Sequence, residues 1–102
     1  MTLKTIEETF MLAFNYPYIK KVGIFGSYAR GEQNAKSDLD ILLEYDDSSD
    51  DFMDDLGSFM EDIEKVITCD IDYITLNGLN QGKNLQFKER VLNDVKWIYT
   101  AN

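Results

Sequence analysis

Residues 26–40 read GSYARGEQNAKSDLD, and the rest of the chain is best understood outward from this stretch. The pair Gly26-Ser27 follows an apolar run, and Asp38 and Asp40 lead into a second one. Because residues two apart along a strand point to the same face, these two aspartates are predicted to present their carboxylates side by side. Two bare carboxylates repel each other. A divalent cation that prefers oxygen ligands would relieve that repulsion.

The Gly26-Ser27 pair predicts a turn that binds phosphate. Glycine has no side chain, so the backbone there can approach a ligand closely. Backbone N–H groups at the start of a helix are also a favourable environment for phosphate. A phosphate-binding turn followed by paired carboxylates indicates a site for phosphoryl chemistry.

These motifs resemble the signature of the nucleotidyltransferases of the DNA polymerase β superfamily, which is Gly-Ser, a short spacer and then Asp-x-Asp. Gly26-Ser27, the Ala-Arg-Gly at 29–31 and the Ser-Asp-Leu-Asp at 37–40 match it. The chain looks most like the minimal nucleotidyltransferases (MNT), which are often encoded beside HEPN-domain partners. The resemblance implies an α/β fold with a small mixed β-sheet flanked by helices, similar to the palm of DNA polymerase β. The length of 102 residues predicts a single domain over residues 1–102.

The resemblance also implies a third acid on a neighbouring strand. The candidates are Asp70 and Asp72, which share one strand face by the period of two, so periodicity leaves both open. The family pattern places the acid after an apolar residue and before a further apolar run. The stretch 71–76, IDYITL, matches that pattern, and we therefore select Asp72.

The resemblance assigns roles to these residues. Asp38, Asp40 and Asp72 would be catalytic and would bind two Mg²⁺ ions, with Asp72 accepting the proton of the attacking hydroxyl. Gly26 and Ser27 would bind the triphosphate. The implied reaction transfers a nucleotide, AMP in the expected case, from a nucleoside triphosphate to a hydroxyl. In related enzymes that hydroxyl belongs to a tyrosine of a HEPN toxin. The alternative is a non-catalytic antitoxin that occludes its partner and keeps a vestigial nucleotide site.

Several nearby residues have a structural as well as a functional interpretation. Arg30 is expected either to contact phosphate as a nucleotide-binding residue or to pair with an acid and fix the loop. Ser37 is expected to stabilise a turn, and Gly31 to end a short helix with a positive φ. Tyr28 and Phe87 could stack on a base, but packing is the favoured interpretation.

Composition limits the remaining classes of function. The 102 residues contain no histidine, which excludes a Ser-His-Asp triad and imidazole zinc sites. A net charge of −9 argues against avid binding of nucleic acid and favours either a basic partner protein or an active site loaded with metal. The single cysteine, Cys69, is interpreted as a small apolar strand residue. The sequence shows no apolar membrane span and no signal-peptide core, so the expected compartment is the cytoplasm.

The hydrophobic pattern predicts the order α-β-α-β-α-β-α-β. A capping box at Thr5 opens the first helix, which ends before Pro17. The acidic segment 46–51 is predicted to be a loop with N-cap candidates for the next helix, and 77–82 is predicted to be a loop. Strands are predicted at 20–25, 39–45, 69–76 and 95–99, and further helices at 27–30, 52–67 and 85–93.

Overall fold

One mixed sheet of four strands organises the chain, as seen in a computed structural model that describes residues 2–101. The strands are β1 (Ile19–Phe25), β2 (Leu39–Tyr45), β3 (Ile71–Thr75) and β4 (Lys96–Thr100). The helices are α1 (Leu3–Phe10), α2 (Ser27–Arg30), α3 (Phe52–Glu64), α4 (Leu76–Gln81) and α5 (Leu85–Asp94), and a 3₁₀ turn spans Met11–Asn15. The predicted alternation is therefore present, with one helix more than the sequence pattern indicated.

The spatial order of the strands is β3-β2-β1-β4. Strand β1 is antiparallel to both of its neighbours, β2 and β4. Strand β2 is parallel to β3, and a parallel pair requires a crossover connection, which α3 provides. The N-terminal ends of β2 and β3 consequently meet at one edge of the sheet, beside the end of β1.

The first helix begins earlier than the capping box suggested. The side chain of Thr2 caps it by accepting a hydrogen bond from the backbone N–H of Thr5 at 3.2 Å. The prediction of Thr5 as the first cap was therefore wrong. The helix also tightens into the 3₁₀ turn after Phe10 and does not continue in α form to Pro17. Thr5 lies inside the first turn of α1, where its N–H needs a capping partner, and Thr2 supplies that partner.

The segment 77–82 is largely a helix, α4, where the sequence predicted a loop. Thr75 ends β3 and caps α4, since its Oγ1 accepts a hydrogen bond from the N–H of Gly78 at 3.0 Å. The Asn77-Gly78 pair is a turn signal, and the threonine cap together with the buried Leu79 overrides it. Strand β3 is shorter than the predicted 69–76, because Leu76 begins α4 and Cys69 and Asp70 precede the strand.

The acidic loop before α3 behaves only partly as expected. Its side chains stabilise the loop itself, as when the N–H of Ser48 donates to Asp46 Oδ1 at 2.9 Å. Asp51 occupies the N-cap position of α3 but makes no side-chain capping hydrogen bond. The acids of this loop are therefore turn residues more than helix caps.

The sheet has two unequal faces. The large-core face packs against α1, the 3₁₀ turn and α3, and includes the fully buried Phe10 and Phe59. The small-core face packs against α4 and α5, and its buried cluster is Phe25, Leu42, Leu79 and Val91. Within residues 2–101, no helix is long and apolar enough to cross a membrane.

Candidate active site

Two of the predicted site carboxylates lie side by side on the small-core face. Asp40 of β2 is the register partner of Phe25 in β1 and of Asp72 in β3, so the three residues form one row across the sheet. Neighbouring strands are about 4.8 Å apart. The next row, one pleat further along, contains Gly23, Leu42 and Ile74. The structure thus places Asp72 next to Asp40.

Asp38 and Asp70 precede their strands. The carbonyl of Asp70 accepts a hydrogen bond from the N–H of Leu39 at 2.8 Å, and this bond begins the pairing of β2 with β3. Asp38, Asp70 and Asp72 line one open cleft of about 520 Å³ at the N-terminal ends of these strands. Asp70 therefore lies near the predicted site, but it precedes β3 and is not the residue opposite Asp40.

The electrostatics of Asp40 reflect this arrangement. Burial raises the pKa of the Asp40 carboxyl, and the nearby carboxylates of Asp72 and Asp38 raise that pKa further, while Arg30 opposes the shift. A partly buried carboxylate with two acidic neighbours strongly favours a cation among them. The site therefore gathers carboxylates whose mutual repulsion a bound cation would relieve.

This set of donors fits a hard divalent cation. Asp38, Asp40 and Asp72 offer only oxygen ligands, which Mg²⁺ prefers, and they come from two adjacent strand ends. Within residues 2–101, no three acidic or thiol side chains are gathered closely enough to form a ready-made metal centre. The residues thus have the right chemistry for Mg²⁺, although their side chains do not already form a closed cage.

The turn between β1 and α2 lies against the Asp40 carboxylate. Gly26 has φ 74° and ψ −151°, a conformation that L side chains rarely adopt. A Cβ built on Gly26 would collide with Asp40 Oδ2. Helix α2 then begins at Ser27 and ends at Gly31, which has φ 72° as the sequence predicted. Only glycine at position 26 allows the predicted phosphate turn and the predicted metal carboxylate to approach this closely.

Arg30 pairs with two acids. Its Nη1 lies 2.6 Å from Asp94 Oδ2 and its Nε lies 3.3 Å from Glu32 Oε2. Hydrogen bonds to Asp94 and then to Glu32 raise the pKa of the guanidinium. Of the two interpretations left open by the sequence, the structure shows the ion pair. Asp94 itself was missed, because it is 64 residues from Arg30 in the chain and no local pattern marks it.

The other residues considered near the motif have structural roles. Tyr28 is 7% exposed in the large core, and its hydroxyl donates to Cys69 Sγ at 3.7 Å. The Oγ of Ser37 accepts a hydrogen bond from the N–H of Asn34 at 2.9 Å and closes a turn, as expected. Phe87 differs from Tyr28, since it lies in the first turn of α5 and is 37% exposed.

Comparison with known proteins identifies the family of the chain. The profile of the polymerase beta, nucleotidyltransferase family matches residues 4–102. The chain belongs to this family. A Methanocaldococcus jannaschii protein, provisionally named a protein adenylyltransferase, is 31% identical over 80 residues, which cover 78% of this chain and 77% of the relative. Protein adenylyltransferase MntA of Thermococcus cleftensis is 28% identical over 83 residues, covering 78% of this nucleotidyltransferase and 75% of MntA.

Solved structures show the same fold. A protein provisionally identified as a minimal nucleotidyltransferase has a TM-score of 0.66 at 24% identity, covering 94% of this chain and 95% of that one. A toxin-antitoxin crystallised with AMP-PNP has a TM-score of 0.64 at 21% identity, covering 98% and 76%. The complex of a tri-AMPylated Shewanella oneidensis HEPN toxin with its MNT antitoxin has a TM-score of 0.51 at 18% identity, covering 97% and 72%. The predicted minimal nucleotidyltransferase fold is confirmed.

Proposed function

We propose that this nucleotidyltransferase transfers AMP from ATP to a hydroxyl of a partner protein, with Asp38, Asp40 and Asp72 holding two Mg²⁺ ions. The observation that carries the proposal is the row that sets Asp40 beside Asp72, with the Gly26 turn against the Asp40 carboxylate. A phosphate-binding turn in contact with a cation-binding carboxylate is what a metal-bridged triphosphate requires.

Each group has a defined task in this reaction. The backbone at Gly26 and the hydroxyl and N–H of Ser27 bind the β- and γ-phosphates. Asp72 accepts the proton of the acceptor hydroxyl as its oxygen forms a bond to the α-phosphorus, and the bond from that phosphorus to the pyrophosphate oxygen breaks. Bound Mg²⁺ would supply charge neutralisation to the phosphate oxygens and the leaving pyrophosphate.

The proposed acceptor is a tyrosine of a HEPN-type partner. Support comes from the shared fold with the antitoxin chain in a complex whose toxin is AMPylated, and from the relatives named as protein adenylyltransferases. The net charge of −9 suits a partner with a basic surface. ATP and Mg²⁺ are both abundant in the cytoplasm, which is the compartment we propose.

The decisive experiment compares Asp72→Asn with Asp70→Asn as its matched control. The chain is incubated with α-³²P-labelled ATP, Mg²⁺ and a lysate of the source cells, and the labelled protein and residue are identified by mass spectrometry. We expect Asp72→Asn to lose at least ~100-fold in transfer rate, about 2.7 kcal/mol of barrier. Asp70→Asn should retain most of the rate, because it is not opposite Asp40.

ATP binding is measured in parallel by thermal shift. Ligand at a hundredfold excess over Kd stabilises the native state by about 2.7 kcal/mol, and this gain should need Mg²⁺ and disappear with a chelator. Asp72→Asn should suppress transfer more than binding, because the proton acceptor acts in the transition state. Normal transfer by Asp72→Asn would refute the assignment. If the chain binds a partner protein from the lysate but no protein becomes labelled in any condition, the non-catalytic antitoxin is favoured.

A further inference from the structure

An apolar pocket of about 220 Å³ opens on the small-core face, between β3, α4 and the start of α5. Ile74, Leu79 and Phe87 form its apolar walls, and the exposed Lys83 also lines it. Leu79 is 5% exposed, whereas Phe87 is 37% exposed. The phosphate-binding and metal-binding residues described above do not include any of these side chains.

The pocket lies one row away from the site acids. Ile74 follows Asp72 by two residues on the same strand and the same face, a separation of about 6.6 Å. Ile74 is also the register partner of Leu42, which lies next to Asp40 along the same face of β2. A group seated against Ile74 therefore lies about one side-chain length along β3 from the position of Asp72.

The order of the strands determines from which side of the sheet the acceptor hydroxyl approaches. The Gly26 turn follows β1, and Asp40 and Asp72 lie on β2 and β3, so phosphate turn, metal carboxylate and proton acceptor follow one another across the sheet. In phosphoryl transfer the attacking and leaving oxygens are roughly in line. With pyrophosphate held at the β1 side, the attacking hydroxyl must enter from the β3 side, where the pocket lies.

We propose that this pocket binds the aromatic ring of the acceptor tyrosine and directs its hydroxyl to Asp72. The inference rests on the proposed function and specifies its acceptor subsite. Strand β3 is an edge strand of the sheet, so a segment of a partner protein can reach the pocket without crossing another strand.

The walls fit a phenyl ring better than an adenine. Aromatic rings pack well against aliphatic side chains and against the edge or offset face of another ring, which Phe87 provides. Adenine carries ring nitrogens and an amino group that need polar partners when buried. Asn84 lines the pocket, and its Oδ1 already accepts the N–H of Phe87 at 3.0 Å to cap α5.

The test uses N-acetyl-tyrosinamide as the acceptor probe and adenosine as the competing probe, each titrated into the intact chain and followed by backbone amide NMR. We expect N-acetyl-tyrosinamide to shift the amides of Ile74, Gly78 and Phe87, and Phe87→Ala to weaken its Kd at least about fivefold. Leu85→Ala is the matched control, since Leu85 lies in the same turn of α5, is 67% exposed and does not line the pocket. Its Kd should equal that of the native chain.

Transfer of AMP to the same probe is measured in the same preparations, and Phe87→Ala should raise KM for N-acetyl-tyrosinamide with little change in KM for ATP. Shifts at these amides from adenosine alone, or from neither probe, would overturn the inference. Binding of the probe without any AMP transfer would refute the proposed function and still support the pocket. An unchanged KM for N-acetyl-tyrosinamide in Phe87→Ala would refute the pocket as the acceptor subsite and would not affect the proposed function. Phe87→Leu, which keeps apolar volume but lacks the ring, replaces Phe87→Ala if that variant fails to fold.

Discussion

The two faces of the sheet differ in what they bury. The large-core face is closed by α1 and α3 over a cluster of aliphatic and aromatic side chains that includes Phe10 and Phe59, both fully buried. The small-core face buries a cluster of four apolar residues and carries, at one end, the partly buried Asp40 beside the exposed Asp72. Because strand residues alternate between faces, the same two strands supply both surfaces.

The difference between the two faces explains how a chain of 102 residues can hold a charged site. Partial burial and acidic neighbours raise the pKa of Asp40, which means that its ionised form is less favourable in the folded protein than in water. The large-core face supplies the stability that offsets this cost. Substitutions on the large-core face should therefore change the free energy of unfolding. Substitutions in the acid row, Asp40 and Asp72, should change the rate of AMP transfer.

The largest expected effect on stability is at Phe59 of the large-core face. Phe59 is fully buried and packs edge-on to Phe10 at 6.4 Å and to Tyr16 at 5.8 Å between ring centroids. Phe59→Ala should lower the free energy of unfolding by about 3–5 kcal/mol in urea denaturation. The control is Phe14→Ala, which removes a ring that is 77% exposed and should change stability by no more than about 0.5 kcal/mol. Similar losses in both would contradict a closed core on this face.

The opposite behaviour is expected at Asp40. Asp40→Asn should lose at least ~100-fold in AMP transfer, about 2.7 kcal/mol of barrier. Its free energy of unfolding in metal-free buffer should hold or rise, because the substitution removes a charge that has acidic neighbours. Loss of stability comparable to that of Phe59→Ala would show that Asp40 is a structural residue and would break the distinction between the two faces.

The pH dependence of this variant follows from the raised pKa of Asp40. A group whose pKa is higher in the folded state contributes stability that is fully present below its unfolded pKa and is lost as pH rises through its folded pKa. Asp40→Asn should therefore exceed the native chain in stability at pH 7 and lose that advantage under acidic conditions where Asp40 is protonated in both states. Urea denaturation of Asp40→Asn and of the native chain, at pH 7 and at an acidic pH in a chelating buffer, measures the difference in their free energies of unfolding.

Sequence reasoning was most successful where the chemistry is local in the chain. The Gly26 turn and the pair Asp38 and Asp40 lie within the fifteen residues 26–40. The structure also places Asp72, which the family pattern selected over Asp70, opposite Asp40, and its role as the third acid stays a prediction. Helix α4 was missed because a threonine cap overrode an Asn-Gly turn signal. The contacts of Asp94 and the pocket at Phe87 depend on how α5 packs across the sheet, which no local pattern specifies.

A smaller effect is expected at Gly26, where one substitution should change both stability and ATP binding. Gly26→Ala should cost about 1–3 kcal/mol of stability from its disfavoured backbone conformation, and it should weaken Mg²⁺-dependent ATP binding because the new Cβ would displace the Asp40 carboxylate. The control is Gly31→Ala, which shares the positive φ but has open space around its Cβ position. Gly31→Ala should lose stability without losing ATP affinity. Equal ATP affinity in the two variants would mean that contact with Asp40 is unimportant for the nucleotide.

The smallest effect is expected at the ion pair that ties α2 to the end of α5. Arg30 and Asp94 have side chains that are 41% and 20% exposed, so water and salt screen the attraction between them. Asp94→Ala should lower the melting midpoint by about 1–3 °C at low ionic strength, with the difference disappearing in about 1 M salt. Glu32→Ala should lower the melting midpoint by less, because Glu32 is 66% exposed and its bond to Arg30 is longer.

ATP affinity in the presence of Mg²⁺ should stay within about twofold of that of the native chain if Arg30 only fixes the loop. A clear loss of affinity in Asp94→Ala, unmatched by Glu32→Ala, would show instead that Asp94 positions Arg30 for phosphate. The polar edge of the small-core face would then extend from the acid row to the end of α5.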